Sequence, residues 1–215
     1  MFSLRIDPWR LALHPQGGVL LGLWHQERPV LRDALSAWSA VPSSGNSAAF
    51  PMVPVCNRVF GNQFMYAGIE HRLAPNMEGQ PVYLHGEGWL REWQIAEQRE
   101  DRVTLTLDVT DGAAPWRYHA WQVFRLQEDL CEVEIGVRNT GEHELPFGVG
   151  WHPYFAANAQ SKLELNATHL WSMSESFRPL GAQLLPDELN FAQAELLPPE
   201  FYDCGLLGWE GSAKL

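Results

Sequence analysis

Positive charge is scarce in this chain. Lys and Arg number 15 against 26 Asp and Glu, a formal net charge of -11 over 215 residues. So little basic charge leaves no electrostatic footprint for a phosphate backbone or an anionic bilayer, and neither nucleic acid nor membrane is an expected partner. Cysteine is scarce too. Cys56, Cys131 and Cys204 are odd in number and widely spaced, which excludes a disulfide framework and a CxxC metal site and suits thiols in a reducing compartment. Long apolar runs are missing: no stretch approaches the ~18 residues that a membrane span needs. Arg5, Asp7, Pro8 and Arg10 interrupt the opening segment, so no signal-type apolar region is expected there, and the expected location is cytoplasmic. Core material, in contrast, is ample. Hydrophobic residues make up 46%, with 10 Trp and 10 Phe, and charged residues only 19%, which is not the composition of a disordered chain.

The apolar pattern repeats every second residue. Val103, Leu105, Leu107 and Val109 alternate with polar neighbours, and so do Cys131, Val133, Ile135 and Val137, as expected of half-buried strands. Between Tyr118 and Leu126 both faces carry bulky residues, which predicts a strand lying between two layers. Turn signals at Gly17-Gly18, Pro75-Asn76, Asp111-Gly112 and Asn139-Thr140-Gly141 separate the runs, and strands joined this way favour an antiparallel sandwich or barrel. Short helical pieces are expected at residues 30–40 and 187–195. The expected organisation is a single all-β domain spanning 1–215, without linker or repeat.

Chemistry-bearing side chains gather in four segments rich in Gly, Pro and aromatics: Pro54-Val55-Cys56-Asn57-Arg58-Val59, Leu84-His85-Gly86-Glu87-Gly88-Trp89, Gly150-Trp151-His152-Pro153-Tyr154-Phe155 and Tyr202-Asp203-Cys204-Gly205. Each has a bland explanation beside the functional one. His152 and His85 could be a buried and a turn histidine satisfied by backbone. Arg58 could pair with an acidic loop, Asp203 could cap a turn, and Trp89, Trp151 and Phe155 could be plain core.

Taken in order, the segments resemble the aldose 1-epimerase family. The resemblance runs from about Val53 to the C-terminus, and its most specific stretch is Asn139-Thr140-Gly141, then Leu145-Pro146-Phe147, then Gly150-Trp151-His152-Pro153-Tyr154-Phe155. It implies a large antiparallel β-sandwich of the galactose mutarotase type. The implied reaction interconverts α and β anomers of a free hexose, a monosaccharide substrate, with no cofactor and no metal. By motif, His152 would be the general acid at the ring oxygen and His85 a catalytic hydrogen-bonding partner of that oxygen. Arg58, Asn57, Asp203 and Trp151 would bind the sugar.

The family places its general base, a glutamate, on a strand after the Asp-containing turn. This chain reaches Leu215 where that strand would begin, so a C-terminally incomplete sandwich is expected, with an exposed edge through which copies could form a homo-oligomer. Glu87 and Glu210 do not match the expected position. Relatives acting on hexose 6-phosphates need a cationic pocket, and only Arg58, with Arg72 and Arg91 farther off, could supply one; a neutral hexose is therefore preferred. Two other readings stay open. One is a carbohydrate-binding sandwich without turnover; the other is a cupin-like metal enzyme using His85 and His152, although no HxH cluster accompanies them.

Overall fold

The computed structural model describes residues 1–215 except Ala40, Phe177 and Phe201. The chain divides into two compact units, residues 1–156 and 157–215.

In the first unit, β1 (Phe2–Ile6), β2 (Trp9–His14), β3 (Val19–His25), β4 (Arg28–Leu31) and β5 (Ala49–Met52) come first. Short ladders follow: β6 (Arg58–Val59), β7 (Gln63–Tyr66), β8 (Ile69–Arg72) and β9 (Tyr83–Leu84). A meander of β10 (Gln94–Gln98), β11 (Arg102–Val109), β12 (Tyr118–Leu126) and β13 (Cys131–Asn139) comes next, and β14 (Gly150–Pro153) returns to pair with β5. Two antiparallel sheets result, one ordered β1-β2-β3-β5-β14 with β4 on β3, the other β10-β11-β12-β13.

Period two explains the layering. Val103, Leu105, Leu107 and Val109 of β11 are buried, and with Tyr118, Ala120, Phe124 and Leu126 of β12 they pack on Leu4, Leu11, Leu13, Leu20 and Leu23 of the other sheet. That is the sandwich core. The first sheet is also covered on its opposite face, where Ala12, Val19, Leu21, Trp24 and Phe50 pack with Trp89. β3 is therefore buried on both sides, and its near-continuous apolar run Val-Leu-Leu-Gly-Leu-Trp follows from that.

The expectation for β12 needs correcting. On its second face Val123 is buried, but the other described residues meet polar partners: His119 bonds Asp108, Trp121 Nε1–H donates to Glu134, and Arg125 pairs with Glu132. Trp121 instead lies flat over Gly136, directly opposite in register, where a Cβ would come within 2.1 Å of its ring. The bulk of Trp121 on this face is accommodated by a glycine on the neighbouring strand. Of the helical expectations, the one at 187–195 is met by one short turn and the one at 30–40 fails over its described residues, Ala40 lying outside them. Residues 28–31 join the sheet as β4, and Asp187–Leu189 is a single 3-10 turn.

In the second unit, β15 (Lys162–Leu165), β16 (His169–Met173), β17 (Pro179–Leu184), β18 (Glu195–Leu196), β19 (Gly205–Leu207) and β20 (Ala213–Lys214) form two small antiparallel ladders, β18-β15-β20 and β17-β16-β19. Leu170, Leu189 and Phe191 make its core. Among the described residues no helix is long and apolar enough to cross a membrane.

Candidate active site

Three of the four motif segments meet, and backbone hydrogen bonds join them. The middle one is residues 53–58. Gly148 N–H donates to Pro54 O at 2.7 Å, Gly88 N–H to Val53 O at 2.9 Å, and His85 N–H to Asn57 O at 2.9 Å. Segments nearly a hundred residues apart in the chain thereby share one framework.

His85 is delivered by the β6–β9 ladder. Arg58 pairs with Leu84, so the residues just beyond that rung, Asn57 and His85, face each other. Both adopt left-handed backbone, φ 65° and 57°, a region that residues with a Cβ seldom occupy. Their bonding is reciprocal: His85 N–H goes to Asn57 O, and Asn57 N–H donates to His85 Nδ1 at 3.1 Å. Gly86 follows at φ 74° with its Cα against Val53, where a Cβ would sit 2.2 Å from the Val53 carbonyl oxygen. Only glycine fits that approach. Trp93 Nε1–H closes the loop from below by donating to Gly88 O at 2.8 Å.

A backbone N–H can only donate, so His85 Nδ1 must accept, and the ring's proton sits on Nε2. The charge state agrees. Burial, then the neighbouring His152 and Arg58, push the His85 pKa down to about 4, so the ring is neutral at physiological pH.

His152 arrives on β14, opposite Phe50 in register. Its ring stacks on Phe50 at 4.7 Å and 22°, with Tyr154 at 4.8 Å on the same strand face. Phe50 also stacks on Trp89 at 4.9 Å and lies 5.7 Å from His85. A single buried phenyl ring thus supports both imidazoles, whose centroids are 5.6 Å apart at 75°. Arg32 lies 3.8 Å over Tyr154 while its guanidinium bonds the Ser44 and Ser47 carbonyls, which anchors the tyrosine beside His152.

The other residues singled out in the sequence divide. Asn57 and Arg58 lie at the ladder; Asn57 Oδ1 accepts from Arg58 N–H at 2.9 Å and from Arg58 Nη1 at 3.2 Å. Trp151 departs from its expected place. It precedes His152 by one residue, faces the other side of β14, and packs in the sandwich core near Phe124. Trp89 is core, 1% exposed, and Phe155 is exposed. Asp203 lies in the second unit, on the exposed loop before β19. Phe50, Asn76 and Arg32 were missed. Tyr154 could have been singled out, because a residue two beyond His152 in a strand shares its face.

Elsewhere, a hollow of about 720 Å³ is lined by His71, Arg117, His143 and the 139–145 turn, and excludes both site histidines. Among the described residues no group of three or more His, Cys, Asp and Glu is placed to hold a metal ion.

The chain is 36% identical to the uncharacterized protein YphB of Escherichia coli K12, over all of this chain and 72% of YphB. It is 30% identical to the uncharacterized protein YihR of the same organism, over 67% of this chain and 49% of YihR. Among solved structures, an aldose 1-epimerase candidate from Escherichia coli K12 superposes with a TM-score of 0.91 at 36% identity, covering 99% of this chain and 71% of that one. Galactose 1-epimerase from Lactobacillus acidophilus NCFM superposes with a TM-score of 0.71 at 17% identity, covering 90% and 61%, and shows the fold alone. The aldose 1-epimerase family model matches residues 7–215, and the chain belongs to that family.

Proposed function

We propose that the site acts on a free, neutral hexose and interconverts its anomers, with His152 as general acid and His85 as a fixed hydrogen-bond donor. The observation that carries this reading is the pairing of two imidazoles 5.6 Å apart in which one is committed to a single protonation state.

Mutarotation removes the anomeric hydroxyl proton, breaks the bond between C1 and the ring oxygen, and adds a proton to that oxygen. The open aldehyde turns about C1–C2 and recloses on the other face. Protonation at the ring oxygen needs a group that gives and regains a proton near neutrality. His85 is unsuited, because its Nδ1 is occupied and its neutral ring could release the Nε2 proton only by becoming an imidazolate. It can donate a hydrogen bond that strengthens as charge develops on the oxygen. His152, beside it on the Phe50 platform, is the imidazole left for transfer.

Support for an uncharged sugar comes from the arginines. Arg91 is held by Glu87 and Asp111, and Arg72 by Glu70, so neither is available to a phosphate. Arg58 and Asn57 border the histidines and are assigned to sugar hydroxyls, as is Asp203 by the family motif. By the same resemblance the anomeric proton passes to a glutamate on a strand after the Asp203 turn; Glu87 and Glu210 do not match that position, and no residue of 1–215 is assigned as the base.

One observation favours carbohydrate binding without turnover as a second reading. Glu87, the carboxylate nearest His85 in sequence, receives both Nε and Nη2 of Arg91 at 3.1 and 2.8 Å, which commits it to structure. Polarimetry on freshly dissolved α-D-glucose and α-D-galactose, run beside a binding titration, separates the two. Anomerisation faster than the buffer rate is the expected result. Saturable binding with no acceleration selects the second reading, and neither signal overturns both.

A further inference from the structure

The backbone on either side of His85 is gripped by one side chain, Asn76. Its Oδ1 accepts from Leu84 N–H at 2.8 Å, and its Nδ2 donates to Leu84 O at 2.8 Å and to Gly86 O at 2.6 Å. The orientation of the amide follows from its partners, since a backbone N–H can meet only the oxygen and the carbonyls only the nitrogen. Three bonds thus bracket a residue held at φ 57°, where a side chain with a Cβ rarely rests.

We propose that Asn76 is the positioning residue that fixes His85 as an Nε2–H donor, by holding the 84–86 backbone where His85 Nδ1 meets the N–H of Asn57. No other short side chain does the same. Aspartate cannot donate to the two carbonyls, serine offers one hydroxyl, and alanine offers nothing. When the grip is lost, residue 85 relaxes toward extended backbone, Nδ1 leaves Asn57, and the ring exchanges tautomers in contact with water. Among the described residues, the charged and titratable groups that act on His85 are His152 from β14 and Arg58 from β6. The device itself is independent of turnover; its catalytic value rests on the mutarotase reading above.

Asn62 provides the control. It anchors the same loop in the same chemical manner, accepting Tyr83 N–H at 2.7 Å and donating to Pro81 O at 2.9 Å, but it does not touch residues 84–86. Nitrogen-15 NMR of histidine-labelled protein reads the tautomer and the titration of His85 directly. In the parent chain Nδ1 is expected to carry the signature of an unprotonated acceptor, and the ring to titrate well below the ordinary histidine range because it is buried beside His152 and Arg58. Asn76→Ala is expected to move that titration toward the ordinary histidine range and to mix the Nδ1 and Nε2 signals, whereas Asn62→Ala lowers Tm and leaves both unchanged. Asn76→Ser is read in the same way should the alanine variant not fold. An unaltered His85 spectrum in the Asn76 variants, or an equal change in Asn62→Ala, overturns the assignment. On the mutarotase reading kcat/KM also falls, by on the order of 10²-fold. A parent chain that anomerises no sugar while Asn76→Ala still shifts the ring would sink that reading alone and leave the positioning role standing.

Discussion

The two units are built from the same kind of strand yet differ in how much they bury. Residues 1–156 contain strands of up to nine residues and a central sheet covered on both faces, with Leu11, Leu13, Leu20 and Phe124 fully enclosed. Among the described residues, 157–215 use strands of two to six residues around the buried Leu170, Leu189 and Phe191, and leave Trp171, Leu180, Leu184 and Trp209 exposed. Local stability scales with buried apolar contact. Both histidines, their Phe50 platform and the clamp on His85 belong to the well-buried unit, where a side chain is held against thermal displacement. Asp203 belongs to the other, on an exposed loop. On the mutarotase reading, the histidines proposed to meet the transition state lie in the more deeply buried unit, where packing holds a side chain most closely in place.

The largest expected effect would break this contrast if it failed. His152→Asn should lower kcat by about 10²–10⁴-fold, while Asp203→Asn should act chiefly on KM; polarimetry over a range of sugar concentrations distinguishes them. Equal losses in kcat would show that the second unit also works in the chemical step. Next, Phe50→Ala should destabilise the first unit by about 3–5 kcal/mol, since it opens a cavity beneath two imidazoles and Trp89. Leu170→Ala in the second unit should cost nearer 2 kcal/mol, because a cluster so small can collapse around the gap. Urea unfolding of both variants gives the difference, and a larger loss for Leu170→Ala would invert the comparison.

A pH experiment sharpens it further. The pKa of His85 lies at about 4 in the folded chain against an ordinary value of 6.5, so the unfolded chain takes up the proton first as pH falls. Stability from this residue is complete above pH 6.5 and declines between 6.5 and 4, by up to about 3 kcal/mol. The wild type should lose stability over that window more steeply than His85→Gln, and parallel curves would contradict the assigned environment. The smallest effect is expected in the second unit. Glu164→Gln removes the exposed ion pair with Lys214 and should cost less than about 1 kcal/mol in chemical denaturation.

Much of the framework could be read from residues alone. The alternations in β11, β12 and β13 marked strands and their buried faces, because side chains on a pleated strand change sides at each step. What misled was always a partner distant in sequence. The face of β12 with His119, Trp121 and Arg125 looked like an interior surface because Gly136, which accommodates Trp121, lies fifteen residues away. Residues 30–40 look helical by local propensity, yet Val30 and Leu31 end β4, a strand because β3 offers it hydrogen bonds. Trp151, read with His152 as part of the site, occupies the opposite face for the same reason of alternation that identified the strands.

By itself, then, the chain order of Asn57-Arg58, His85, His152 and Asp203 among glycines and aromatics determined the family and named the histidines, since motif and period are properties of neighbouring residues. The tertiary structure decided the state and the neighbours of the histidines. That His85 is a neutral Nε2–H donor follows from an N–H twenty-eight residues upstream and an amide at position 76, and that His152 lies beside it follows from a phenyl ring at position 50. Hydrogen bonds and ring contacts of that reach depend on where the sheets bring the chain back to itself, which no local pattern encodes.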